Sequence, residues 1–111
     1  MNEKFFVPYN TAQKLKANGY NEECDRFYDN SGTLTTEPKG SKIAAPTYHE
    51  VIDWLELSNI RISIFVEHLF GTRFFENKCK LNVLGTEFCT MGYNTREEAL
   101  NAAILKALEL I

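Results

Sequence analysis

Cys24, Cys79 and Cys89, together with His49 and His68, are the side chains in this sequence best equipped for chemistry. A thiolate beside an imidazole makes a nucleophile, and a third group must orient the imidazole. The sequence supplies no such third group and no spacing that sets a histidine beside Cys79 or Cys89. The same side chains could in number hold zinc, but structural zinc sites pair their ligands at close spacing, and no C-x-x-C occurs. His49 and Asp53 stand four positions apart, which on a helix makes a solvated polar pair. Glu97-Glu98 suits a helix start, and Glu22, Glu23 and Asp25 read as surface charge at a strand entry. None of these acids lies in an apolar run of the kind that raises a carboxyl pKa for general-acid work. Gly40, Gly71, Gly85 and Gly92 stand alone, so neither a P-loop nor a dinucleotide fingerprint is formed. The expectation is therefore no catalytic residue, no metal and no cofactor.

One constellation remains. Arg61, Phe65, Phe74, Lys78 and Lys80 fall on the same side of two consecutive strands, and Arg96 opens the closing helix. Basic residues mixed with aromatics can stack bases on a sheet surface. The rival reading is that the first 45 residues cover this side, using Phe5, Phe6, Tyr20, Phe27 or Tyr28. Aromatic residues make up 13% of the chain and need covering somewhere, so coverage is the expectation. Any exposed remnant is the candidate binding face.

The elements that position these residues are legible in the pattern. Asn10 and Gln13 could cap a short helix with Ala12 and Leu15 inward and Gly19 as its stop. Glu23 to Asp29 alternates as a strand, Asn30-Ser31-Gly32 is a turn, and Thr33 to Thr36 is the return strand. Pro38 to Ser41 reads as a loop. Thr47 and Glu50 form T-x-x-E ahead of Tyr48, Val51, Ile52 and Leu55 at helical spacing, a reciprocal capping box. Ile60, Ile62, Ile64 and Val66 alternate with Arg61, Ser63, Phe65 and Glu67, a strand with one buried face. A second strand is expected from Arg73 to Val83, a turn at Gly85, and a third strand from Thr86 to Met91. Thr95 and Glu98 repeat the T-x-x-E box before an arc of Leu100, Ala103, Ile104, Ala107, Leu108 and Ile111. Leu105 points away from that arc.

Short connections between successive strands favour an antiparallel meander, and helices at both of its ends pack on one face. The expected fold is a two-layer α+β domain with a mainly antiparallel sheet, in the order α-β-β-α-β-β-β-α. Residues 1–111 would form one domain, with 46–111 as the core and 1–45 as a helix and hairpin that extend the sheet or cover its edge.

The totals agree with one soluble domain. The chain has 111 residues, 44% of them hydrophobic and 24% charged, with a net charge of -3 and a pI near 5.4. That balance disfavours unspecific nucleic-acid or membrane binding, which needs a local surplus of Lys and Arg. Three widely spaced cysteines suggest reduced thiols and a cytoplasmic setting. No apolar stretch approaches the ~20 residues that span a bilayer.

Two resemblances bear on function. Gly92-Tyr93-Asn94-Thr95-Arg96-Glu97-Glu98-Ala99, followed by Asn101-Ala102-Ala103 and Ala107-Leu108, resembles the last helix of the double-stranded RNA-binding domain. In that family this helix start carries basic residues that grip phosphates. Here Thr95, Glu98, Ala99 and Arg96 fit, while Glu97 and Leu100 occupy the other two basic positions. The loop His68 to Thr72 lacks the family's Gly-Pro-x-His pattern. The resemblance implies a fold for residues 46–111 and puts the RNA grip in doubt. The whole chain resembles a family of small proteins of no assigned activity from Bacteroidetes and their prophages. The blocks Leu15 to Cys24, Ala45 to Leu55 and Tyr93 to Ala99 carry that likeness, which implies a mobile-element origin. The reading that follows is a non-enzymatic protein-interaction module of phage or prophage origin whose partner is another protein. An RNA-binding module is the alternative.

Overall fold

The computed structural model describes residues 5–22, 24–36, 43–68 and 75–111. Three helices and two antiparallel sheets make an α+β fold in the order α1 (Tyr9–Ala17), β1 (Phe27–Tyr28), β2 (Leu34–Thr35), β3 (Ile43–Ala44), α2 (Tyr48–Glu56), β4 (Ile60–His68), β5 (Phe75–Val83), β6 (Thr86–Cys89) and α3 (Arg96–Leu110). The main sheet runs β4-β5-β6 and the smaller one β2-β1-β3.

The two T-x-x-E signals start α2 and α3. Thr47 accepts the Glu50 amide while its own N–H donates to the Glu50 carboxylate at 3.0 Å, the full reciprocal box. At Thr95 the hydroxyl accepts the Glu98 amide at 3.1 Å and also donates to the Glu98 carboxylate at 2.9 Å. α1 starts differently from expectation. Pro8 takes the N-cap position with no side-chain cap, and Asn10 lies exposed in the first turn. Proline's fixed φ, here -62°, sets the chain for helix entry without a capping side chain. The helix closes as a Schellman motif: Tyr20 N–H donates to Leu15 and Gly19 N–H to Lys16, with Tyr20 and Leu15 both buried.

In the main sheet Ile60 pairs with Val83, Ile62 with Leu81 and Ile64 with Cys79. Directly paired residues face the same way, so these form the inner face. A two-residue turn with positive φ at Leu84 (51°) and Gly85 (90°) joins β5 to β6, and its twist matches the strands it connects. Beyond Cys89 the chain bulges. The Lys80–Cys89 pair is followed by the Asn77–Tyr93 bridge, so the outer chain carries one residue more than β5 over that interval. The Thr90 hydroxyl accepts the Cys79 amide there at 2.9 Å.

α3 is the hub of the core. Ala99, Leu100, Ala103, Ile104, Ala107 and Leu108 are buried against Val51 and Leu55 of α2, Ile60 of β4, and Cys79 and Leu81 of β5. Each Leu or Ile so buried contributes roughly 1.5–3 kcal/mol. Ile111, expected in this arc, lies past the helix end and is 54% exposed.

The N-terminal part differs from expectation in two ways. β3 adds a strand, and β1–β3 form a sheet of their own instead of extending the main one. Among the described residues of the strand expected from Glu23 to Asp29, strand pairing is confined to Phe27–Tyr28. The reason lies in α3, where every residue from Ala99 to Leu105 is buried or half-buried. One sheet face cannot cover so wide a surface, and α1 packs on α3 and β3 to take the remainder. The Tyr28 hydroxyl bonds Val7 O at 2.5 Å, and Val7 N–H bonds Pro46 O at 3.0 Å, tying the small sheet to the α2 start. The expected loop at Pro38 to Ser41 lies outside the described residues, as do the strand start at Arg73–Phe74 and the His68–Thr72 loop beyond the His68 backbone.

Candidate functional site

The proposed binding face divides once the register is known. Arg61, Phe65, Lys78 and Lys80 lie on the outer face of β4 and β5, since Arg61 pairs with Asn82, Ser63 with Lys80 and Phe65 with Lys78. Phe74 lies outside the described residues. Arg96 sits apart, at the start of α3. The described residues of 1–45 do not cover this face: Arg61, Ser63, Lys80, Asn82, Glu87 and Cys89 are exposed, while Phe65 and Lys78 are half-buried. The aromatics of residues 1–45 are used elsewhere. Tyr20 meets Trp54 edge-on at 5.1 Å, Tyr28 meets Tyr9 at 5.4 Å, and Phe5 lies by the starts of α2 and α3.

Open as it is, this face is electrostatically balanced. Lys78 Nζ lies 3.0 Å from the Glu67 carboxylate, and Lys80 Nζ lies 3.6 Å from that of Glu87 and 5.5 Å from the centre of the Phe65 ring. The Lys78 pKa is raised, chiefly by its hydrogen bond to Glu67. Arg61, Lys78 and Lys80 thus share the face with Glu67, Glu76 and Glu87. Phosphate binding needs a surplus of cations, which the described residues of this face do not supply.

Arg96 lines a groove of about 480 Å³ with Phe5, Thr47, Tyr48, His49, Ile52, Glu97 and Leu100, where the first turns of α2 and α3 meet. Glu97 offsets Arg96 there. Burial first, and the Glu97 charge second, push the Tyr48 hydroxyl up to about 12. His49 faces Asp53 at 3.7 Å as an exposed i, i+4 pair.

The cysteines do not form a reactive pair. Cys79 is on the inner face with 0% exposure, and burial pushes its thiol up to about 11. Cys89 pairs with Lys80 and so faces outward. The sheet therefore separates them. Nucleophilic thiols are tuned downward, in the opposite direction. Among the described residues no cluster of three His, Cys, Asp or Glu side chains could hold a metal, and no helix is long and apolar enough to cross a membrane.

The feature that periodicity alone does not reveal is the far end of the inner face. Along β4 the inward side chains run from Ile60, 2% exposed, through half-buried Ile62 and Ile64 to Val66, 60% exposed. Phe75, opposite His68 on β5, is also 60% exposed. The hairpin projects past the helices that cover its base. The signal is arithmetic. A nine-residue strand is about 30 Å long at ~3.3 Å per residue, whereas α2, also nine residues, spans about 14 Å at ~1.5 Å per residue. Beside this overhang, β4 is an edge strand with no strand on its second side among the described residues.

Compared with family models, curated proteins and solved structures, the chain matches none.

Proposed function

We propose that this chain is a non-enzymatic protein-interaction module that presents the β4–β5 hairpin, in the cytoplasmic phage or prophage setting that the family resemblance implies. The observation that carries the reading is the apolar inner face still 60% exposed at Val66 and at Phe75, next to the nine-residue edge of β4 that no described strand pairs. Apolar side chains held outward on paired strands form a preorganised contact surface, and their burial by a partner protein drives association. The test is affinity capture from extract of the source cells, with and without nuclease. Val66→Ser with Phe75→Ser should lose captured proteins that nuclease leaves in place. Equal capture by wild type and variant would refute the hairpin as the contact.

A second reading, RNA binding, is favoured by one observation, the α2-β4-β5-β6-α3 order. The balanced outer face and the Arg96–Glu97 start of α3 oppose it. An electrophoretic shift assay with duplex RNA at low salt decides: no shift there ends this reading, because phosphate binding is strongest at low salt.

A further inference from the structure

We infer that the partner of the β4 edge is a second copy of this chain, paired antiparallel through β4 about a two-fold axis at Ile64. The inference rests on the hairpin-interface reading above and names its occupant.

The first argument is which groups the edge offers. Asn77 N–H and O bond Tyr93, and Cys79 O accepts the Thr90 amide, so the odd-numbered residues of β5 turn their backbone groups toward the β6 side. The even-numbered ones therefore bond β4, through Arg61, Ser63, Phe65 and Glu67. It follows that Ile60, Ile62, Ile64 and Val66 aim their N–H and C=O groups at the edge that no described strand pairs. Natural edges are blunted by short length, bulges, proline or inward-pointing charge. The β6 side uses two of these devices, four-residue length and the bulge after Cys89. β4 has nine residues, no proline and only apolar inward side chains from Ile60 to Val66.

The second argument is register. A two-fold axis perpendicular to the sheet keeps inner face with inner face, so the paired residue numbers sum to an even value. Centring on Ile64, the midpoint of β4, pairs the full strand. It sets Ile62 against Val66 on the inner face, covering the exposed Val66 of each copy. It also sets Arg61 against Glu67, twice, at positions that exchange no backbone bonds and where side chains approach most closely. Shifting the centre by one residue sets Arg61 against Phe65 or Glu67 against Ser63 and loses both charge pairs. Glu67 already meets Lys78 at 3.0 Å, and a carboxylate can accept from both cations. The product is a continuous six-stranded sheet from two three-stranded halves.

The test is sedimentation velocity on the purified full-length chain over a concentration series, read beside amide hydrogen exchange. A dimer is expected, with slowed exchange at Ile62, Ile64 and Val66 as concentration rises. Arg61→Glu and Glu67→Arg should each move the monomer–dimer midpoint about tenfold or more to higher concentration. The double exchange Arg61→Glu with Glu67→Arg should restore it, which a folding defect would not do. Ile64→Pro removes an outward N–H and no β5 bond, and should leave monomer with native-like circular dichroism. A monomer at every concentration, or a dimer indifferent to all of these changes, overturns the inference. If that happens while Val66→Ser with Phe75→Ser still abolishes capture of another protein, the hairpin reading stands with a different occupant. If capture is also unaffected, both fall.

Discussion

The Thr11 hydroxyl donates to the Asn101 side-chain carbonyl at 2.5 Å, joining the first helix to the last across ninety positions of sequence. Thr11 is 1% exposed, the one buried polar residue among the described ones. Its bond fixes how α1 sits on α3. Thr11→Val keeps the shape and removes the donor, leaving the Asn101 oxygen half-buried without that partner. The expected loss is about 1–3 kcal/mol, measurable as a lowered urea midpoint. Thr11→Val combined with Asn101→Ala should lose less than the sum of the two single changes, because they share one interaction.

Residue 46 onward was largely legible because its signals are local. Thr47 and Thr95 cap where the T-x-x-E pattern says, and Ile60 to Val66 alternate as a strand with Ile60 at the buried end. The N-terminal part was harder for a physical reason. Its strands are two residues long, and their pairing depends on contacts such as Tyr28 with Val7 that no periodicity encodes. Asn10 carried a capping signal that Pro8 made unnecessary. The site was legible in identity and not in exposure. Alternation put Arg61, Phe65, Lys78 and Lys80 on one face. That Glu67 and Glu87 would meet those lysines depended on strand register, and that α1 would pack elsewhere and leave Arg61 and Lys80 exposed depended on α3 having a second surface to cover.

The two helix caps should differ in worth. Thr47 closes the full box, engaging its own N–H and the Glu50 amide. Each hydroxyl also donates to its Glu carboxylate at 2.9 Å, but at Thr95 only the Glu98 amide is taken up and the reciprocal backbone bond is not formed. Glu50→Ala should cost about 0.5–1.5 kcal/mol more than Glu98→Ala, because only the former leaves a backbone N–H, that of Thr47, without its acceptor. Equal losses in chemical denaturation would contradict that ranking.

Leu84 holds φ of 51° in the β5–β6 turn and is 79% exposed. A leucine gains nothing there and strains its backbone, whereas asparagine tolerates the left-handed region and suits the first position of this turn. Leu84→Asn should stabilise the protein by about 0.5–1 kcal/mol, the scale on which turn residues act. Gly92→Ala should do the opposite, because its Cβ would overlap the Glu76 side chain. Thermal melts of the two variants should shift in opposite directions.

Alkaline pH should weaken the fold through Cys79. Its thiol moves from an ordinary 9.0 to about 11 in the folded chain because burial disfavours the thiolate. A group raised in this way holds its full stabilisation below the unfolded value, so stability is unaffected by it below about pH 9. Between pH 9 and 11 the unfolded chain releases the proton and the folded chain keeps it, and stability falls by about 2–3 kcal/mol at ~1.4 kcal/mol per unit. Cys24, also raised chiefly by burial, adds to the slope in the same direction. Tyr48, raised from 10.0 to about 12, adds above pH 10. Cys79→Ala should therefore shallow the decline between pH 9 and 10 without abolishing it. The same burial orders thiol labelling at pH 8: exposed Cys89 should react first, half-buried Cys24 later, and Cys79 only as the protein unfolds. Rapid alkylation of Cys79 in the folded chain would mean that α3 does not cover the inner face of β5, and the hub role assigned to that helix would fail with it.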